Sequence, residues 1–123
     1  MTFEEGLVKE FTNNNIKIFP LGAPEGSIAP FVVYQKNKLE FLKSLGGELE
    51  KANGEYSLVL VCKNYNDLQA TTLKIKDILL NTIWDKIGGE GPYIENISIS
   101  ISGDTYVYET DEYTTRISVQ VNY

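Results

Sequence analysis

Histidine is missing from this chain, and cysteine occurs once in its 123 residues. The first absence removes the commonest general base, the Ser-His and Cys-His nucleophile pairs, and most zinc sites. The second removes any internal disulfide, so the chain does not read as an oxidised secreted scaffold. Basic residues are the minority: 11 Lys+Arg against 17 Asp+Glu give a net charge of −6. That balance argues against a protein whose main task is gripping phosphates. Long apolar runs are also lacking, and no window approaches the roughly 20 residues of a membrane helix. The opening residues, MTFEEGLVKE, are acidic and amphipathic, unlike a signal or transit peptide. The expectation is a protein of a reducing compartment with no membrane partner.

What is present suffices for one folded domain spanning residues 1–123. Apolar residues make up 42% of the chain and charged residues 23%, a globular rather than a disordered balance. Thr2 and Glu5 have capping-box spacing, and Phe3, Leu7, Val8 and Phe11 then follow helical periodicity. Asn13, Asn14 and Asn15 stop that helix. Residues 16–19 alternate as a short strand, and 21–30 form a Pro/Gly loop. Residues 31–36 are β-branched and aromatic, so they read as a strand. Between 37 and 54 lies a long excursion. Leu39, Leu42 and Leu45, with Phe41 among them, suggest a short helix or turn there, and Asn53-Gly54 is a turn signal.

Residues 55–63 form a third strand, apolar on both faces and so expected to be covered on both. Cys62 within it reads as a small buried hydrophobe without a catalytic partner. Asn66 or Asp67 caps a second helix that runs to about Trp84, its stripe marked by Leu68, Thr72, Ile75, Leu79 and Thr82. Trp84 is placed at the core edge, with a partner anchor as the other reading. Gly88-Gly89 and Gly91-Pro92 end this region. Ile97, Ile99 and Ile101 alternate with serines, residues 106–108 resume an extended run, and 115–123 alternate as the last strand. The order is α-β-β-β-α-β-β. It predicts an α+β domain: a mainly antiparallel sheet of four to five strands with two helices on one face.

Chemistry is scarce. The glycines at 88–91 follow a helix and precede a strand, the reverse of a phosphate loop. Asp104, Glu109, Asp111 and Glu112 match no calcium loop and read as a solvated hairpin turn. No catalytic, cofactor or metal site is assigned. Charge distribution says more: six acidic residues and one Arg lie from Glu90 onward, leaving −5 in that third. Such a surface repels DNA and suits one past which DNA slides. Tyr106, Tyr108, Tyr113 and Tyr123 lie in the same third, either as ordinary strand residues or as interface residues.

The run Ile18-Phe19-Pro20, a Pro/Gly loop, then Ala29-Pro30-Phe31-Val32-Val33-Tyr34-Gln35 resembles the start of phage tail terminator (tail completion) proteins. The apolar strand Ser57–Lys63 running into Asn64-Tyr65-Asn66-Asp67, and two closing strands at 94–108 and 113–123, extend the resemblance along the chain. The family implies a non-enzymatic virion protein of the neck end of the tail, assembled in the host cytoplasm. It implies a ring, hexameric in the family, that caps the tail tube and ends its elongation. Its partners would be further copies, the tail tube protein and a head–tail connector or sheath protein. DNA passes through without specific binding, and no cofactor is used. The apolar insert at 38–54 departs from typical members.

The residues expected at a subunit or tube interface are Leu39, Phe41, Leu42, Leu45, Tyr106, Tyr108 and Tyr113. Those expected on an acidic surface are Asp104, Glu109, Asp111 and Glu112. Another head–tail connector, a small acidic enzyme or ligand-binding domain, and a generic interaction module remain as alternatives.

Overall fold

Thr2 and Glu5 form the capping box that their spacing predicts. The Glu5 N–H donates to the Thr2 hydroxyl at 3.2 Å, and the Thr2 N–H donates to the Glu5 carboxylate at 3.4 Å. The computed structural model describes residues 2–43 and 50–123, with 42, 43 and 50 described through their backbone. Helix α1 spans Phe3–Asn13 and buries Phe3, Leu7 and Phe11. Asn14 closes it by donating its side-chain amide to the Glu10 carbonyl at 2.8 Å, and Asn15 takes a left-handed φ of 61°, which Asn tolerates.

The other elements are β1 (Ile18–Pro20), β2 (Phe31–Lys43), β3 (Glu50–Cys62), α2 (Tyr65–Leu80), β4 (Asn96–Ile101), β5 (Thr105–Val107) and β6 (Glu112–Asn122). They build one six-stranded sheet of order β1-β2-β3-β6-β4, with β5 on the side of β6. Only β1–β2 is parallel among the described pairs. The fold is α+β, as expected, with the three-residue β5 bringing the sheet to six strands.

Leu58, Leu60 and Cys62 of β3 and Ile117, Val119 and Val121 of β6 meet both helices in one buried cluster, where α2 contributes Leu68, Ile75 and Leu79. Side chains alternate across a strand, so both helices cover the same face. Among the described residues the opposite face carries no helix. There Phe19, Phe31, Val33 and Val59 are half-buried, and the rings of Phe19 and Phe31 meet edge-on at 6.1 Å. Coverage of β3 on both sides is therefore corrected: Val59 stays part-exposed, while Val61, in register with Phe31 and Thr114, is buried.

The 37–54 excursion is corrected as well. Residues 37–43 and 50–54 continue β2 and β3 as one long antiparallel hairpin, with a bulge between Lys36 and Lys38. Leu39–Lys43 are strand, not helix, and Leu45 lies outside the described residues. The Asn53-Gly54 turn signal is overridden by pairing on both sides. Asn53 faces Glu40 and Asn122, and Gly54 faces Leu39 and Val121. Glycine fits there because a Cβ on Gly54 would lie 2.7 Å from Cε2 of the Tyr56 ring.

Helix α2 starts earlier than expected. Asn64, in extended backbone, accepts from the Asp67 N–H at 2.8 Å and is the N-cap. The helix ends at Leu80, short of Trp84. Trp84 is 70% exposed, so its core-edge placement is corrected. The periodic stripe stops with the helix, and Trp84 takes φ 66°, which turns the side chain out of helical phase.

Candidate assembly surfaces

The interface residues expected from the sequence fall into two groups at opposite ends of the sheet. The first group is aromatic and lies on the β5–β6 hairpin. Tyr106 pairs with Tyr113 in register, their ring centroids 4.9 Å apart. Tyr108 stands perpendicular to Tyr106 at 6.2 Å and is 86% exposed. Tyr65, from the start of α2, joins edge-on to Tyr113 at 5.9 Å. Sequence reasoning missed Tyr65, because its neighbours lie some forty residues away in sequence and only the fold brings them near.

The acidic residues surround this cluster, and most are engaged within the chain. The Tyr65 hydroxyl donates to Asp104 at 2.9 Å, and the Tyr106 hydroxyl donates to Asp111. Asp111 sits at φ 54°, the left-handed corner of the turn. Its hydrogen bond, then a little desolvation, raises the Tyr106 phenol above its ordinary pKa. Glu112 lies 3.7 Å from Lys63, and Glu109 is exposed. Among the described residues no group of three or more acids, Cys or His could hold a metal ion. Glu109 and Asp111 lie in the turn between β5 and β6, Glu112 opens β6, and Asp104 lies just before β5.

The second group sits at the far end, where β2 and β3 extend. Leu39 is half-buried and Phe41 is 66% exposed. Both lie on the helix-bearing side of the sheet but beyond the helices. Leu42 belongs to the same strand. Phe41 lines a groove of about 430 Å³ with Lys51, Ala52, Pro92, Tyr93, Glu95 and Tyr123. Trp84 borders it, its ring 6.3 Å from that of Tyr93. Trp84 has the exposure that its second reading, a partner anchor, requires; Tyr93 carried no such reading, and the turn glycines between them are the available signal of an exposed loop. Along β3 the two groups are separated by the run from Ala52, opposite Phe41, to Cys62, opposite Tyr113. Ten strand residues span about 33 Å.

Two other features bear on chemistry. Cys62 is fully buried, and burial pushes its thiol pKa up, so the thiolate is disfavoured. Glu40 and Glu55 share a polar depression of about 190 Å³ on the helix-free face. Glu40 is exposed and ion-paired to Lys38 at 2.8 Å, and Glu55 is only half-buried. The pair is not the enclosed carboxylate couple that acid–base hydrolysis uses.

No family model matches the chain, and no curated protein matches it. Among solved structures, a chain described as "Virion of native gene transfer agent (GTA) particle" has a similar fold, with a TM-score of 0.54 at 8% identity. The alignment covers 94% of this chain and 82% of that one. The likeness is one of fold, and it extends over nearly the whole domain.

Proposed function

We propose that this chain is a non-enzymatic structural protein of a phage or phage-like particle that assembles as a ring on the end of the tail tube. The ring, six-membered by family resemblance, ends tube elongation and offers its other side to the head, connector or collar. The observation that carries the reading is the pair of unlike aromatic surfaces at opposite ends of one sheet. A cap has to bind the tube on one side and present something different on the other. Large exposed aromatics are the side chains that most often anchor such contacts.

The extended β2–β3 end, with Phe41, Tyr93 and Trp84, docks on the tube. The Tyr106–Tyr108–Tyr113 end, ringed by Asp104, Glu109, Asp111 and Glu112, turns toward the connector. Its acidic side chains keep passing DNA from sticking. The fold likeness to a virion chain supports the setting, as does the resemblance of 18–35 to tail terminators.

Particles lacking the protein test the reading. Over-long tubes are the expected result. Tubes of normal length that lack heads would assign the chain to a connector instead.

A further inference from the structure

We infer that neighbouring copies in the ring are joined edge to edge, the free edge of β4 in one copy pairing antiparallel with the distal half of β2 in the next. This rests on the ring reading above and names the contact that closes it.

The sheet leaves two stretches of edge without a strand partner among the described residues. On one side β1 covers only Val32–Tyr34 of β2, so the edge from Gln35 to Phe41 is open. On the other side β4 is the last strand of the sheet. Open edges are templates for pairing with another chain.

Four features make these two edges fit each other. First, they stand at the same height. Ser100 lies opposite Ser118, which lies opposite Ser57, which lies opposite Gln35. At the other end Asn96 is level with Asn122, Asn53 and Glu40. Second, the directions agree. Three antiparallel steps separate β2 from β4, so β4 runs opposite to β2. Copies set side by side with strands along the ring axis therefore meet in antiparallel fashion.

Third, the backbone groups are in phase. The Ser102 N–H donates to the Arg116 carbonyl, so by alternation Ser98 and Ser100 also point toward β6. Ile97 and Ile99 then point outward. On β2, beyond the bulge, Lys38 and Glu40 point toward β3, and Leu39 and Phe41 point outward. At equal height Ile97 meets Leu39, and both turn their N–H and C=O groups outward, without a strand partner among the described residues. Fourth, the faces match. On the helix side Ile97 and Ile99 meet the stretch bearing Leu39 and Phe41, which shields exposed apolar surface. On the helix-free side Ser98 meets Lys38 and Asn96 meets Glu40. Edge lysines ordinarily discourage pairing. Here Lys38 is neutralised by Glu40 at 2.8 Å and Lys36 by Glu4 at 3.9 Å.

This is a heterologous contact, and repetition by rotation closes it into a ring. It leaves the Tyr106–Tyr108–Tyr113 end free for the connector and draws Phe41 into the seam between copies, beside the tube-facing surface.

A cysteine pair tests it. Ser98 and Lys38 would form a non-hydrogen-bonded pair, with Cα atoms about 4.5 Å apart, within disulfide range. Within one chain the same residues are three strands apart, about 14 Å, too far to bridge. The double variant Lys38→Cys/Ser98→Cys, oxidised at the concentration where sizing shows the oligomer, should give a ladder on a non-reducing gel that ends at the ring number. Each single variant should give none, and the two singles mixed should stop at dimers. Cys62 is buried in every variant and does not compete. An oligomer that yields no ladder overturns the edge pairing and leaves the tube-capping reading standing. A protein that stays monomeric even with tail tube protein overturns both.

Discussion

Gly6 is the position where local and tertiary preferences pull hardest against each other. It lies inside α1, where alanine is favoured over glycine by about 1 kcal/mol. A Cβ there would lie 2.5 Å from Cγ2 of Ile87 and 2.8 Å from the Ile87 carbonyl oxygen. Ile87 is fully buried, and Gly88 beside it is held by Glu10, which accepts its N–H at 2.9 Å. The obstruction includes fixed backbone, so it does not swing away like a surface side chain. Overpacking of this kind costs typically about 1–3 kcal/mol, and contact with backbone places it at the upper end. Gly6→Ala is therefore expected to lose about 1–2 kcal/mol net of the helix gain. For a chain of 123 residues, that is a drop of about 4–8 °C in Tm.

Thermal unfolding followed by circular dichroism measures this directly. Gly103→Ala is the control, since a Cβ there meets nothing within 4 Å, and its effect should stay within about 0.5 kcal/mol. A Gly6→Ala protein that melts at or above the parent would refute the reasoning. The contact matters beyond stability, because the turn at Ile87 also accepts and donates the bonds that set the Trp84–Tyr93 loop. The Ile87 N–H donates to the Pro92 carbonyl at 3.2 Å, and the Trp84 N–H donates to Ile94 at 2.7 Å.

Other outcomes follow from the same structure. Trp84→Gly should leave monomer stability unchanged or slightly raised, since it removes a left-handed non-glycine residue costing about 1–3 kcal/mol. It should weaken binding to tail tube protein in a pull-down, and undiminished binding would remove Trp84 from the docking surface. Trp84 is also the sole tryptophan, so iodide should quench its fluorescence readily in the free chain and less so in the assembled one. Leu58→Ala, in the middle of the central strand and fully buried, should cost about 2–5 kcal/mol in urea unfolding. Burial raises the phenol pKa of Tyr56 strongly, and also those of Tyr123 and Tyr34. The unfolded chain therefore releases these protons first, so stability is full below about pH 10 and falls as pH rises above it. Tyr56→Phe should flatten that fall, and an unchanged alkaline slope would count against the buried-phenol explanation.

The sequence by itself determined the elements whose signals are local. The Thr2–Glu5 box starts α1 because its partners are three residues apart. The alternation at 97–101 and 115–123 set strand faces, since a period of two leaves one register that buries the isoleucines and valines. The stripe Leu68, Ile75 and Leu79 set the buried face of α2. The α+β class followed from the order of these pieces.

Tertiary structure decided what depended on distant neighbours. Asn53-Gly54 became strand because β2 and β6 pair with it on both sides, and because the Tyr56 ring occupies the space a side chain would need. Residues 39–43 became strand for the same reason, against a three-residue leucine spacing. Tyr65 joined the Tyr106–Tyr113 cluster, and Trp84 moved from the core edge to the surface, through packing that no window of neighbouring residues contains. The level heights of the two open edges are of this kind too. They depend on the register of three successive strand pairs, which side-chain contacts across the whole sheet fix together.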